Sequence, residues 1–158
     1  MKKIILDCDP GHDDAMAIML ACASPELEVL GITTVAGNQT GEKTFTNTLK
    51  ILTLIGKDLP VARGFDKPLF QELVTAPEIH GETGLDGTDL PAPLIKPCEI
   101  HAVNFIVETL LSADEPIYLI PTGPLTNIAG ALLLAPRIRE KIKKIVLMGG
   151  GALESNKT

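Results

Sequence analysis

Short runs of valine, isoleucine and leucine recur along the chain, separated by longer segments whose apolar residues repeat every three or four positions. The runs have the length of strands buried on both faces, and the segments between them have helical spacing. We predict strands over residues 3–8, 28–35, 116–121 and 144–148, with a further short strand over 60–62. We predict helices over residues 13–23, 42–55, 100–111 and 125–134, and a short helix over 136–142.

This alternation of strands and helices predicts an α/β fold, a doubly wound and mostly parallel sheet with helices on both faces. The usual strand order is then 3-2-1-4-5, with ligands bound at the carboxyl ends of the strands where the order reverses. We expect residues 1–158 to form a single domain. The chain ends directly after the fifth predicted strand, where such a sheet normally continues, so we interpret the fold as truncated.

Composition narrows the class of protein. The 158 residues are 45% hydrophobic and 22% charged, which is typical of one globular core. A net charge of −6 and a pI near 5.0 argue against nucleic acid as a partner. Three cysteines are an odd number, so reduced thiols in the cytoplasm are favoured over disulfides. No segment has the apolar length of a signal peptide or membrane span, so we expect no membrane association.

Four aspartates stand close together in the segment Asp7-Cys8-Asp9-Pro10-Gly11-His12-Asp13-Asp14. They fall at the predicted carboxyl end of the first strand and the start of the first helix. Asp7 and Asp9 are two apart on a strand, so we expect their side chains on one side. Converging carboxylates need a proton, open solvent or a cation, and an all-oxygen set favours calcium or magnesium. Any one aspartate fits a helix cap or a solvated side chain about as well, but the cluster indicates a site.

Two further residues are expected at the same edge of the sheet. In the order 3-2-1-4-5 the fourth strand lies beside the first, so the turn at Thr122 opens next to the aspartates and can offer a main-chain carbonyl to a cation. Asn38 follows the second strand and could bind a ligand rich in hydroxyl groups. An asparagine in a Gly-Asn turn is an equally good interpretation of Asn38.

Four more motifs follow the aspartate run: Val-Ala-Gly-Asn-Gln-Thr, Ile-His-Gly-Glu-Thr-Gly-Leu-Asp-Gly, Pro-Thr-Gly-Pro-Leu-Thr-Asn and Val-Leu-Met-Gly-Gly-Gly. Together the five motifs resemble the inosine-uridine nucleoside hydrolase family, over essentially the whole chain. The resemblance implies hydrolysis of the N-glycosidic bond of ribonucleosides to ribose and free base, in nucleoside salvage. It also implies bound Ca2+ and a small-molecule ribonucleoside as partner. We expect a homo-oligomer, because a truncated fold leaves apolar surface exposed that self-association would cover.

The resemblance assigns roles to individual residues. Asp9 would be the general base and a calcium ligand, Asp14 a second ligand, and Thr122 a ligand through its main-chain oxygen. The residues implied near the substrate are Asp13 and Asn38 at the ribose hydroxyls, Met148 and Asn156 near the sugar, and His80 at the nucleobase as a second catalytic residue. Taken without the resemblance, His80 reads more readily as a turn residue.

Three functions remain open from the sequence. The first is nucleoside hydrolysis, although the later Glu-Phe-Asn motif of the family and its distal His-Asp pair have no counterpart in this chain. The second is a non-catalytic fragment, or truncated gene product, that binds a divalent cation and ribose. The third is an Asp-x-Asp phosphohydrolase with Asp7 as nucleophile, for which Pro10 stands where that class requires a hydroxyl residue.

Overall fold

The computed structural model describes residues 1–150, which contain a five-stranded parallel sheet. The strands are β1 (Lys2–Cys8), β2 (Leu27–Thr34), β3 (Val61–Arg63), β4 (Ile117–Pro121) and β5 (Ile142–Ile145). The helices are α1 (His12–Ala23), α2 (Gly41–Leu54), α3 (Pro77–His80), α4 (Ala102–Ser112) and α5 (Thr126–Leu134), followed by a 3-10 helix (Pro136–Lys141). The order β3-β2-β1-β4-β5 confirms the predicted topology.

Each face of the sheet has its own apolar core, because successive residues of a buried strand point to opposite sides. Ile4 and Leu6 of β1 pack in the core that includes residues of α1 and α2, whereas Ile5 packs in the core that includes residues of α4 and α5. Cys8 shares the first core, with its Sγ 3.8 Å from the carbonyl oxygen of Thr33. The helices therefore cover both faces, as predicted.

The fifth strand begins earlier than predicted. Residues 144–148 were expected to form it, but β5 ends at Ile145, and Val146, Leu147 and Met148 are about half exposed. Two of their amides still donate to β4, to the carbonyls of Leu119 and Pro121. The apolar run therefore marks a segment that hydrogen-bonds to β4 without strand geometry. In contrast, β5 carries exposed lysines and, within residues 1–150, pairs only with β4.

The short helix α3 was not predicted and lies inside the long irregular stretch after β3. Among residues 1–150, the longest helix is α2 with 14 residues, and none has the length and apolar character needed to span a membrane. The switch in strand order falls at β1, between β2 and β4, so the aspartate run lies at the point where ligands of such sheets bind.

Candidate active site

A cleft of about 700 Å³ opens at the carboxyl ends of β1 and β4. This volume lies within the range of small-molecule sites. The structure brings five of the predicted site residues together in its lining: Asp9, Asp13, Asn38, Thr122 and Met148. They come from segments far apart in the sequence, as expected where strand ends meet at one edge of the sheet.

Asp9 stands directly after β1 and is 5% exposed. Its Oδ2 accepts a hydrogen bond of 2.6 Å from the main-chain N–H of Asn38, and the Asn38 side chain donates back to the Asp9 carbonyl at 3.1 Å. The Asp9 N–H donates to Oδ2 of Asp14 at 2.9 Å. These bonds fix the carboxylate of Asp9 between the end of β2 and the first turn of α1.

Two glycines leave the space that the Asp9 carboxylate occupies. A Cβ atom at Gly37 would lie 2.1 Å from Asp9 Oδ2, and one at Gly123 would lie 2.7 Å from Asp9 Oδ1. Both distances are far below van der Waals contact, so a side chain at either position would push the carboxylate away. Gly37 and Gly123, which belong to two separate motifs, thus both leave room for the Asp9 carboxylate.

The electrostatics of the cleft favour a cation. Burial raises the pKa of Asp9 to about 8, with a further rise from the neighbouring Asp14 and Asp13 carboxylates. Burial also raises the pKa of Asp14. Two buried carboxylates in contact are unfavourable as a pair of anions, and a hard cation with oxygen ligands would relieve this conflict. Thr122, in the same lining, has a main-chain oxygen of the required type.

Asp7 does not join the other aspartates, contrary to the expectation that all four converge. Its side chain is completely buried on the face covered by α5, where Oδ1 accepts from Thr33 Oγ1 at 2.6 Å and from Asn127 Nδ2 at 2.8 Å. Asp7 is still within the pleat of β1, on the same face as Ile5, whereas Asp9 lies beyond the last strand residue. Within residues 1–150, no three His, Cys, Asp or Glu side chains form a group that could hold a metal ion.

His80 is not among the described residues that line the cleft. Its ring packs so closely on Gly11 that a Cβ there would lie 2.5 Å from His80 Nδ1, and it stacks on the ring of His12 at 5.9 Å between centroids. It is 9% exposed, and Nδ1 has no hydrogen-bond partner among the described residues. The structure thus places the His80 ring against Gly11 and His12 of the aspartate run.

The loop after His80 is anchored by polar residues that sequence reasoning missed. Asn47, buried in α2, donates through Nδ2 to the carbonyls of Pro10 at 3.2 Å and Thr83 at 2.9 Å. Gln39 donates to the carbonyl of Gly81 at 2.8 Å. In the sequence, Asn47 is recognisable as a polar residue on the buried side of a predicted helix, but this pattern does not indicate its hydrogen-bond partners. Asn156 lies outside the described residues.

The chain is similar in sequence to the proteins of one family. The model of a family described as inosine-uridine preferring nucleoside hydrolase matches residues 4–158. A protein of Photobacterium profundum named pyrimidine-specific ribonucleoside hydrolase RihA is 55% identical over 158 residues, which is 99% of this chain and 51% of that protein. A protein of the same name from an Enterobacter species is 53% identical over 148 residues, 93% of this chain and 47% of that protein.

Solved structures agree with the sequence relatives. The purine-preferring ribonucleoside hydrolase from Gardnerella vaginalis superposes with a TM-score of 0.89 at 39% identity, covering 95% of this chain and 49% of that one. The chain thus spans about half the length of the curated relatives and solved structures that it matches.

Proposed function

Because the chain belongs to the inosine-uridine preferring nucleoside hydrolase family, we propose that its cleft is the N-terminal part of a site that hydrolyses ribonucleosides to ribose and free base. The observation that carries the proposal is the position of Asp9. A buried carboxylate is fixed by Asn38, set against Asp14 and given room by two glycines, in a cleft of a size that suits a small ligand.

Asp9, Asp14 and the main-chain oxygen of Thr122 are the groups that would hold a calcium ion. When bound, the ion supplies positive charge that lowers the pKa of a water molecule and helps to orient the ribose hydroxyls. The raised pKa values of Asp9 and Asp14 support this assignment, because nearby positive charge favours the carboxylate form that the buried site otherwise disfavours.

The residues of the chain then have separate tasks. Asp9, as a carboxylate, accepts the proton of the attacking water, a role that requires it to stay deprotonated. Asp13 and Asn38 accept hydrogen bonds from ribose hydroxyls, and Met148 lies against the sugar. The aspartates also surround the sugar with negative charge, which stabilises the oxocarbenium character that develops as the N-glycosidic bond breaks. The roles of His80 and Asn156 stay predictions that rest on the family resemblance.

The names of the relatives suggest which substrates to test first. The curated relatives at 53–55% identity are named pyrimidine-specific, and the solved structure at 39% identity is named purine-preferring. We therefore propose uridine and cytidine as the first substrates, with inosine for comparison.

The three cysteines are free, which fits a reducing compartment, and we propose a cytoplasmic protein. Leu133 and Leu134 at the end of α5 and Phe70 after β3 are exposed, which is consistent with a homo-oligomer.

The test is ribose release from the three nucleosides, with calcium in excess and with a chelator. Asp9→Ala is measured beside Asp89→Ala, which removes an exposed aspartate outside the cleft lining. We expect calcium-dependent release that Asp9→Ala abolishes and Asp89→Ala retains. Release that survives the chelator or Asp9→Ala would overturn the proposed mechanism.

A second candidate is favoured by the acidic lining of the cleft, where Asp9 and Asp13 lie beside Asn38 and Thr122. On this alternative the chain binds a divalent cation and ribose without turnover. Calcium binding that Asp9→Ala removes, with no ribose release by the unaltered chain, would establish it. A phosphohydrolase is disfavoured, because Asp7, its required nucleophile, is completely buried and bonded to Thr33 and Asn127.

A further inference from the structure

Asn127, in the first turn of α5, is completely buried and joins four parts of the fold. Its Nδ2 donates to Asp7 Oδ1 at 2.8 Å and to the carbonyl of Thr34 at 2.9 Å, and its Oδ1 accepts from the N–H of Phe65 at 3.0 Å. Both amide hydrogens and the acceptor oxygen are therefore used. One side chain connects α5 to the carboxyl ends of β1 and β2 and to the segment after β3.

These bonds lead directly to the proposed cation site. The carbonyl of Asp7 accepts from the N–H groups of Thr122 at 2.9 Å and Gly123 at 3.3 Å. The turn that contains Thr122 runs straight into α5, so Asn127 fixes its far end while Asp7 fixes its near end. A shift of this turn would move the Thr122 carbonyl, and it would also move Gly123 against the carboxylate of Asp9.

The packing around Asn127 leaves little room for a different side chain at this position. A Cβ at Gly64 would lie 2.1 Å from Asn127 Oδ1, so the backbone after β3 approaches the amide closely. An aspartate at 127 has the same shape but no hydrogens to donate, and one of its oxygens would face both Asp7 Oδ1 and the carbonyl of Thr34. The site distinguishes an amide from a carboxylate of equal size.

We infer that Asn127 is a positioning residue of the proposed calcium site, which holds the Thr122 turn and the Asp7 end of β1 in the geometry that the ion requires. The inference rests on the proposed function for the identity of the ion. The geometry itself rests only on the hydrogen bonds of Asn127, so the two can be tested separately. Residues that orient metal ligands typically change affinity by about 10–100-fold when replaced.

The experiment compares Asn127→Asp with two controls on the same chain. Asn104→Asp makes the same chemical change at an exposed position of α4, and Ile138→Val removes a buried methylene group from the 3-10 helix. Calcium affinity is measured by titration calorimetry. Hydrogen exchange of the Thr122 and Gly123 amides is measured in chelator, relative to the most protected amides of the sheet.

We expect Asn127→Asp to weaken calcium binding by at least about tenfold and to lower the relative protection of the Thr122 and Gly123 amides. The calcium affinity of both controls should stay within about twofold of that of the unaltered chain, which is a smaller change than the about tenfold loss expected when a residue that orients a metal ligand is replaced. A purely structural role would lower protection across the whole sheet and leave the ratio unchanged, and that result would overturn the inference. Unchanged calcium affinity in a variant with loosened amides would overturn it as well.

The outcome stays decisive if the unaltered chain binds no calcium. That result would count against the proposed function, while the exchange ratio of the Thr122 and Gly123 amides would still support or refute the positioning role. Should Asn127→Asp fail to fold, Asn127→Ser is measured in the same way, because a serine hydroxyl retains one donor and one acceptor of the amide.

Discussion

Replacement of Asp9 by asparagine tests whether the buried Asp9 carboxylate lowers the stability of the folded chain when no cation is bound. Burial raises the pKa of Asp9 in the folded chain to about 8, against about 3.9 for an unfolded aspartate. Between these values the folded chain holds a proton that the unfolded chain has released. The contribution of Asp9 to the free energy of unfolding is therefore fully present below the unfolded pKa. It is lost as pH rises from the unfolded pKa to the folded pKa. Asp14, whose pKa is also raised, acts in the same direction.

The magnitude follows from the pKa difference. A pH of 7 lies about 3 units above the pKa of an unfolded aspartate. This difference corresponds to a loss of about 4 kcal/mol from the free energy of unfolding. Asparagine carries no charge, keeps one acceptor for the N–H of Asn38 and can donate to Asp14, but it lacks the second carboxylate oxygen. We therefore expect Asp9→Asn to recover about 2 kcal/mol, or about 4–8 °C in Tm for a chain of this size.

The assay is thermal unfolding in a chelator from pH 5 to pH 9, repeated with calcium. The unaltered chain should lose stability as pH rises, and Asp9→Asn should show a flatter profile and a higher Tm at pH 8. Calcium should stabilise the unaltered chain and leave the variant unchanged. Asp89→Asn, at an exposed position, should behave like the unaltered chain. An Asp9→Asn profile as steep as that of the unaltered chain, or a lower Tm at pH 8 in chelator, would refute the reasoning.

Three further predictions concern the surroundings of the site. Gly37→Ala should weaken calcium binding by at least about tenfold, because its methyl group would lie 2.1 Å from Asp9 Oδ2; a terbium luminescence titration with unchanged affinity would contradict this. Hydrogen bonds from Thr83 and Glu82 lower the pKa of Asp86, so the loop that these bonds fix should stay ordered above the unfolded pKa of Asp86 and loosen as pH falls through its folded pKa. Asp86→Ala removes the oxygen that accepts from the Thr83 N–H, so it should expose that amide to hydrogen exchange at every pH, and protection equal to that of the unaltered chain would count against this. Asn47→Ala should cost about 1–3 kcal/mol in urea unfolding, since it leaves the carbonyl of Pro10 buried and unpaired; a loss no larger than that of an exposed substitution would show that water replaces the amide.

The sequence was sufficient to predict the strand order and the position of the cleft. Valine- and isoleucine-rich runs that alternate with helices restrict the sheet to few topologies, and the carboxyl ends of its strands must meet at one edge. Asp9, Asn38 and Thr122 each directly follow a strand or lie within a few residues of its end, so their convergence was predictable. The start of β5 was not predictable, because a strand with a single neighbour among the described residues need not be apolar.

Several side-chain positions depend on details finer than the hydrophobic pattern. The assumption that Asp7 and Asp9 share a side holds only while both lie within the strand, and β1 ends between them, at Cys8. His80 was expected near the nucleobase from resemblance alone, and nothing in the sequence indicated that Gly11 would accommodate its ring. The partners of Asn127 lie 62, 93 and 120 positions away in the chain, a distance at which pattern gives no pairing.

The separate position of Asp7 bears on how the aspartate run works. If all four carboxylates faced one cation, the loss of any one would weaken binding directly. The structure instead divides them: Asp9 and Asp13 line the cleft, Asp14 bonds to the amide of Asp9, and Asp7 is buried beneath with Asn127. Replacement of Asp7 should therefore act through the geometry of the Thr122 turn, and it should disturb the amides of that turn even when no calcium is present. Replacement of Asp9 should leave those amides protected and remove the ion.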